Sequence, residues 1–551
     1  MRNYSFFSST VSWLTRGHRV PALLVLAGIL IAVDFLAIDV HRNFHREIMD
    51  LEIQPNESLA AEFLVPYFRQ YWALACILSL PGFLLALYRN VHGSLVKPLA
   101  FASVALLGLY LPGELGINHI AMTQSTIGEE PSVAAFWGKV VLVTLLLLSP
   151  PLMAWLYARG SILNRYIVRS FLTPLVFCFF GFIAIWLIID LSDNGPDFIE
   201  ADTNLAEIGE FYFVQLPQVI ILIMPISLLL SLLYSLSKMS KTNELVSMLG
   251  FGKSTTSILT PLFAVSLYLT FICITFNYHW APRAEGHKES VLQKIKEGYE
   301  QKTAAVTQLY NNPIDHRSWF LGRIPFDLVH DKVRTVEIRQ HDEEGRLTKA
   351  YFARSAFWFW AIKVWKLYEG VIFHYNSEGI PSRIEPFEGL NIEGWRETPW
   401  KLISSSFKPQ HLGIPLLTAY INTNHDQAPI KLAPFRTHWH YRWALPFNCF
   451  VVTLVAAPLG IVYSRRGALG GVAAAIFIFF TMLFLDHTFL ALGQGMYIPP
   501  FAAAWSTNFI FAGFGLILLA LRSRNRNIPS FGLKTLARLF KSLTGRNRGQ
   551  A

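Results

Sequence analysis

The sequence predicts a polytopic α-helical membrane protein of about ten spans with an inserted all-β, jelly-roll-like domain on the outer side. Three observations predict it. Of 551 residues, 53% are hydrophobic and only 15% are charged, too few to coat a soluble protein of this length. Ten apolar stretches approach or exceed the about 20 residues that cross about 30 Å of hydrocarbon. One long polar segment, alternating with period two in its middle, separates the seventh stretch from the eighth.

The expected spans are residues 20–40, 71–88, 98–111 (the shortest), 136–157, 167–191, 213–236, 255–278, 443–463, 467–492 and 501–521. The first is too long for the apolar core of a signal peptide and no small-x-small cleavage pattern follows it, so it reads as a span. Charge sets the orientation. With the N-terminus cytosolic and spans alternating, the cytosolic pieces carry 21 Lys and Arg against a single acid, Glu244. The opposite loops are acidic or mixed, with Glu47, Asp50, Glu52 and Glu57 in one, Glu129 and Glu130 in another, and Asp193, Asp197, Glu200 and Asp202 in a third. This satisfies the positive-inside rule and places both termini in the cytosol. The net charge of +10 therefore reads as orientation and attraction to anionic lipid, with no call for nucleic acid.

Residues 281–441 are too polar and too long for a loop and form a separate domain outside the membrane. Val336 and Ile338 alternate with Glu337 and Arg339, a turn is expected over 341–345, and 361–375 continues the strand signal up to a break at Asn376-Ser377-Glu378-Gly379. Trp358, Phe359, Trp360, Trp365, Phe373 and Tyr375 supply the apolar faces. A helical lead over 284–306 extends the seventh span outward. The basic tail after Leu521 places Leu533, Leu536, Phe540 and Leu543 at helical spacing, which reads either as a helix on an anionic surface or as a frayed tail.

Catalytic signatures are missing from the sequence. The histidines of the outer domain are scattered, and no G-x-S-x-G, H-E-x-x-H or Walker A pattern occurs, so ATP hydrolysis by a P-loop is excluded and no cofactor is implied. His438-Trp439-His440 on a strand could offer two metal ligands but lacks a third, and an interfacial belt before the eighth span is the simpler reading. The cysteines Cys76, Cys178, Cys273 and Cys449 all fall in apolar stretches and read as small buried side chains. Asp34 and Asp190 sit toward span ends, where snorkelling relieves their cost. Asp486, beside His487, lies deeper, as either an interhelical hydrogen-bond partner or a cavity wall. Arg283, Lys288, Arg436, His438, His440 and Arg442 gather at the outer mouth of spans seven and eight, as contacts for lipid phosphates or as a solvated rim.

The polar run 238–253, KMSKTNELVSMLGFGK, stands apart. Ser240 or Thr242 can cap a short helix with Glu244 in its first turn, Leu245, Met248 and Leu249 on one face, and Gly250 and Gly252 at its end. It reads either as a docking knob for a partner arginine or as an ordinary polar loop.

The chain from Asn164 to Arg526 resembles the LptF/LptG (YjgP/YjgQ) permeases of the lipopolysaccharide exporter. The resemblance is carried by Arg165-Tyr166-Ile167 with Phe171-Leu172, Leu216-Pro217 and Pro225, Asn243-Glu244-Leu245-Val246 with Met248 and Gly250, Trp280-Ala281-Pro282, and Gly495 with Ile498-Pro499-Pro500, in that order. The resemblance implies core spans over 164–280 and 442–522 around the β domain and a coupling helix at 238–253, and the charge pattern adds a basic cytosolic tail at 523–551. It implies Glu244, Leu245, Met248, Leu249 and Gly250 as the contact for an LptB-like ATPase dimer. It also implies a second LptF/LptG-type permease, LptC/LptA-like periplasmic proteins, lipopolysaccharide as cargo, and a multi-pass location in the bacterial inner membrane. Asp486 and the Tyr497–Pro500 stretch are similar to the LptG type. Two features depart from the pattern. Residues 1–160, with four expected spans, have no counterpart, and the outer end of the first core span is acidic (Asp190, Asp193, Asp197) where G-type members carry lysines. Readings from other classes are a membrane scaffold or a lipid- or glycan-modifying enzyme with a periplasmic β domain, the second of which lacks a clustered acid/base or metal set.

Overall fold

The computed structural model describes residues 132–524 apart from 201–202, 298–307, 313, 324–331, 360–361, 377, 405–406, 426 and 462–467, together with scattered positions between 96 and 115. The spans expected at 20–40 and 71–88, most of that at 98–111, and the tail helix at 531–543 lie outside the described residues.

Among the described residues, seven helices are long and apolar enough to cross a membrane: Val133–Arg159, Ile162–Glu200, Gln215–Lys241, Thr255–Pro282, Pro429–Gly460, Ala473–Gln494 and Pro500–Ser523. They coincide with the seven spans expected from residue 136 onward. In chain order the helices are α1 Val133–Arg159, α2 Ile162–Glu200, α3 Leu205–Lys241, α4 Glu244–Gly250 and α5 Thr255–Glu297. After the strands come α6 Pro399–Ser404, α7 Ile414–Thr423, α8 Pro429–Ala444, α9 Asn448–Gly460, α10 Ala468–Gln494 and α11 Pro500–Ser523. With no water in hydrocarbon to take backbone polar groups, each apolar stretch closes its hydrogen bonds internally as a helix. Two helices run far past the C-terminal ends of their expected spans. α2 continues unbroken to Glu200, so Asp193, Asp197 and Glu200 stand on a helix and not in a loop. α5 continues to Glu297, which accounts for most of the helical lead.

The chain divides into two compact units. One takes in α1, Leu191–Gln218 and Thr275–Arg442. Its strands are β1 Gln308–Asn312, β2 Arg317–Arg323, β3 Val333–His341, β4 Leu347–Phe359, β5 Val364–Tyr375 and β6 Pro381–Ile392, joined as one antiparallel sheet in the order β1-β2-β3-β4-β5-β6. This is a meander, in which every strand pairs with its sequence neighbour. The crossed connections of a jelly roll are not found among the described residues. Trp319, Ile338, Trp358, Trp365 and Leu367 form the core on one face. The turn expected at 341–345 is present: Asp342 Oδ1 accepts from the Arg346 amide at 2.7 Å, and Gly345 takes φ +79°, a conformation that needs no Cβ.

Below the Trp core sits a buried ionic cluster. Arg317 donates to Glu397 through Nε (2.8 Å) and Nη2 (3.0 Å) and to Asp315 (2.7 Å), and its guanidinium lies 4.4 Å over Trp395. Asn312 Nδ2 (2.9 Å) completes the shell of Glu397. The helices α7 and α8 join through Tyr420 and Phe435, stacked at 3.6 Å, and burial pushes the Tyr420 phenol up to about 12, so it stays neutral at every physiological pH.

The second unit comprises Gly160–Asp190, Val219–Ile274 and the residues from Trp443. Its core joins Leu229 and Leu233 of α3, Val452, Val455 and Ala456 of α9, Phe479 and Met482 of α10, and Phe511 of α11. Small residues set the closest approaches. A Cβ at Gly515 would lie 3.0 Å from Leu454 Cγ, and one at Gly460 would lie 3.1 Å from Leu236 Cβ.

Removing one member of the ionic cluster strands a buried charge. Glu397→Ala is expected to cost about 3–5 kcal/mol in the β-sheet unit, because Glu397 is fully enclosed and Arg317 is left without its bidentate partner. Asp315→Ala, at a side chain 25% exposed, is expected to cost less. Denaturant titration of both full-length variants, followed by Trp fluorescence, checks the order.

Candidate functional site

The candidate site is built on α4, seven residues between the ends of two apolar helices. Its start differs from the sequence expectation. Neither Ser240 nor Thr242 caps it. The N-cap is Asn243, in the left-handed region at φ 63°, with no side-chain cap bond. Asn tolerates that conformation better than most residues. The end is a Schellman turn: the Gly252 amide donates to Leu249 O (3.0 Å), the Lys253 amide donates to Met248 O (3.3 Å), and Gly252 takes φ +81°.

Glu244 is not a free carboxylate. Tyr166 Oη, from α2 and 78 residues away in sequence, donates to Glu244 Oε2 at 2.6 Å. The Thr242 hydroxyl reaches Glu244 Oε1 at 2.9 Å, with the Lys238 carbonyl as a competing acceptor at 3.1 Å. The carboxylate is thus held in one orientation while remaining partly exposed. Leu245 is 2% exposed and anchors the helix, and Met248 and Leu249 are half-buried. The apolar side chains that project outward are Val246 (50% exposed) and Phe251 (90%). Sequence reasoning singled out neither Phe251 nor Tyr166 as a site residue. Phe251, a bulky ring bracketed by Gly250 and Gly252, carried a readable signal. The Tyr166 contact did not, because nothing in the spacing joins the two segments.

The other expected site residues do not converge. Arg283 and Lys288 lie on the backbone of α5, and their side chains are outside the described set. The segment holding His438 and His440 is helical and not a strand, so their i, i+2 spacing points the rings to different sides. His438 is buried, His440 half-buried and Arg436 exposed. Arg442 is an internal clamp and not a rim cation. It donates to the Gln410 carbonyl, to Leu412 O (3.2 Å) and to Asn277 Oδ1 (3.3 Å), while Asn277 Nδ2 donates to the Arg442 carbonyl at 2.6 Å. Asp486 is buried and accepts from Asn448 Nδ2 at 3.4 Å, an interhelical hydrogen bond between α10 and α9, while His487 next to it is exposed. Cys273 and Cys449 are buried free thiols with their sulfurs 3.9 Å apart.

The two glycines around Phe251 differ in what they tolerate. Gly252→Val is expected to strain the αL turn by about 1–2 kcal/mol and raise amide hydrogen exchange across 244–253. Gly250→Ala, which faces open space at negative φ, is expected to leave exchange unchanged.

Comparison with known proteins gives this geometry a context. A family model for the lipopolysaccharide export system permease LptF/LptG matches residues 165–521, from α2 to α11. The lipopolysaccharide export system permease protein LptF of Escherichia coli strain K12 is 20% identical over 380 residues, covering 65% of this chain and 94% of that protein. The LptF proteins of Escherichia coli O157:H7 and Shigella flexneri match to the same extent. These relatives are of the F type and lend no support to the G-type lean expected from Asp486 and the Tyr497–Pro500 stretch. The family model, which matches more than half of the chain, shows the family, and 20% identity does not sort the two types. The chain belongs to the LptF/LptG family of lipopolysaccharide export permeases.

Proposed function

We propose that the chain is the transmembrane permease subunit of an ABC-type exporter in the bacterial inner membrane. It extracts lipopolysaccharide, or a related lipid, and passes it to a periplasmic bridge leading toward the outer membrane. The observation that carries the reading is α4: a short helix between two spans, anchored by Leu245, with an oriented carboxylate and two projecting apolar side chains. A carboxylate held by Tyr166 Oη (2.6 Å) is preorganised for a charge-assisted, bidentate contact with an arginine of a partner. Phe251 and Val246 supply the apolar part of such a contact.

The partner is a cytosolic ATPase dimer of the LptB type, since the sequence holds no P-loop of its own. α4 then faces the cytosol, both termini are cytosolic, and the β sheet stands in the periplasm, where LptC- and LptA-like proteins receive the lipid. A second LptF/LptG-type permease completes the membrane part. The apolar window of α2, only 6% buried within the chain, offers surface for that partner or for lipid.

Glu244→Lys is expected to weaken association with the ATPase by about 30-fold or more, the loss typical of a desolvated charge contact, while membrane insertion is retained. Phe251→Ala is expected to weaken it by a similar order, and Tyr166→Phe by about 2- to 10-fold, because only orientation is lost. Co-purification of the ATPase and its lipid-stimulated turnover are the measurements. A Glu244→Lys complex that assembles and turns over at the wild-type rate overturns the assignment.

A further inference from the structure

Beside α4, within the second unit, α2 and α3 enclose an open groove of about 1280 Å³. The Ser235 hydroxyl of α3 donates to Ser231 O of its own helix (2.6 Å) and has Ser170 O of α2 as a second acceptor at 3.1 Å, which marks the level at which the two helices meet. Polarity changes sharply along the groove. One end carries Arg169, Lys238 and Lys241, the two lysines in the last turn of α3. Toward the other end the walls are Phe177, Leu230 and Tyr234, with Phe177 76% and Tyr234 59% exposed. Ser237 Oγ, on the wall between them, is buried without a hydrogen-bond partner among the described residues. Glu244 also lines the basic end and keeps its charge while accepting from Tyr166 and Thr242, but among the described lining residues the basic side chains outnumber this one acid.

We propose that this groove is a binding site for an anionic phospholipid, whose phosphate lies among Arg169, Lys238 and Lys241 and whose acyl chain covers Phe177, Leu230 and Tyr234. The lysines follow directly on the apolar run 213–236, at the depth where lipid headgroups sit. Amine and guanidinium donors match phosphate oxygens by charge-assisted hydrogen bonds. A zwitterionic lipid makes weaker use of three cations. The basic segment after Leu521, with eight Lys and Arg, is repelled by them. The acyl chain answers the exposed rings, which water solvates poorly. Naming the leaflet as the cytosolic one rests on the reading of α4 above; the site itself does not.

Native mass spectrometry of the full chain, purified with its partners, tests the proposal by titration with phosphatidylglycerol or phosphatidylcholine. Wild type is expected to retain phosphatidylglycerol in preference. Lys238→Gln/Lys241→Gln is expected to lose about fivefold in retention per lysine, and Lys238→Arg/Lys241→Arg to keep it. The Arg variant and an unchanged gel-filtration profile separate a lost site from a lost fold. Equal retention of the two lipids by wild type, or full retention of phosphatidylglycerol by the Gln variant, overturns the site. Crosslinking of a photoactivatable phosphatidylglycerol to Thr173–Cys178 or Leu230–Tyr234 peptides supports it, whereas crosslinking to peptides from residues 1–95 alone overturns it. ATPase co-purification with Glu244→Lys is read on the same samples, so failure of the docking reading and failure of the lipid site are told apart.

Discussion

The second unit depends on the close packing of α9. All but one of its 13 residues are buried, and other helices of that unit meet it at identifiable points. Those helices are α3, α5, α10 and α11: Gly460 admits Leu236 of α3, Cys449 lies against Cys273 of α5, Asn448 donates to Asp486 of α10, and Leu454 fills the space over Gly515 of α11. In hydrocarbon no hydrophobic effect drives helices together, so association rests on fit, small residues and a few interhelical hydrogen bonds. Asp486 belongs to this set. A buried acid meeting an asparagine amide in lipid is worth keeping because the alternative is an unsatisfied polar group.

That packing also fixes what leaves the bundle. α3 is held along much of its length, since 72% of its most apolar window is buried, so its last turn at Lys238 and Lys241 emerges at a defined place. Only two residues separate it from α4. The Tyr166–Glu244 hydrogen bond then ties the short helix back to α2, buried Leu245 anchors it, and the Schellman turn at Gly252 returns the chain to α5. A seven-residue helix is below the length that is stable alone in water, so its order comes from these tethers. The same two helices that hold α4 also wall the groove with the basic end, which places a carboxylate for protein contact and cations for phosphate next to each other.

Much of the fold was legible because the bilayer imposes a coarse and strong rule. The seven spans from residue 136 onward appear as helices near their expected limits, with α2, α5 and α8 extending well beyond them. Period-two alternation around Val336 and Ile338 announced strands, and Asp342 to Gly345 announced a turn. Connectivity was not legible. Alternation tells which face of a strand is buried, not which strand lies beside it, so the expected jelly roll and the observed meander are equally consistent with the pattern. The helical state of His438 and His440 was missed for a related reason: a short run rich in His and Trp beside Pro434 has no clean period.

Sequence alone determined where the chain can cross a membrane, that one acid stands among the basic segments, and that no nucleotide loop is present, because hydropathy, charge and motif content are properties of the chain itself. The tertiary structure decided what each polar side chain does. Arg442 became a clamp on Asn277, Gln410 and Leu412 and left the expected outer rim, and Asp486 became a helix–helix partner. Glu244 acquired Tyr166, from 78 residues away, as the group that orients it. Charge can be counted in one dimension, but the partner that satisfies or aims it is a neighbour in three, and only packing sets those neighbours.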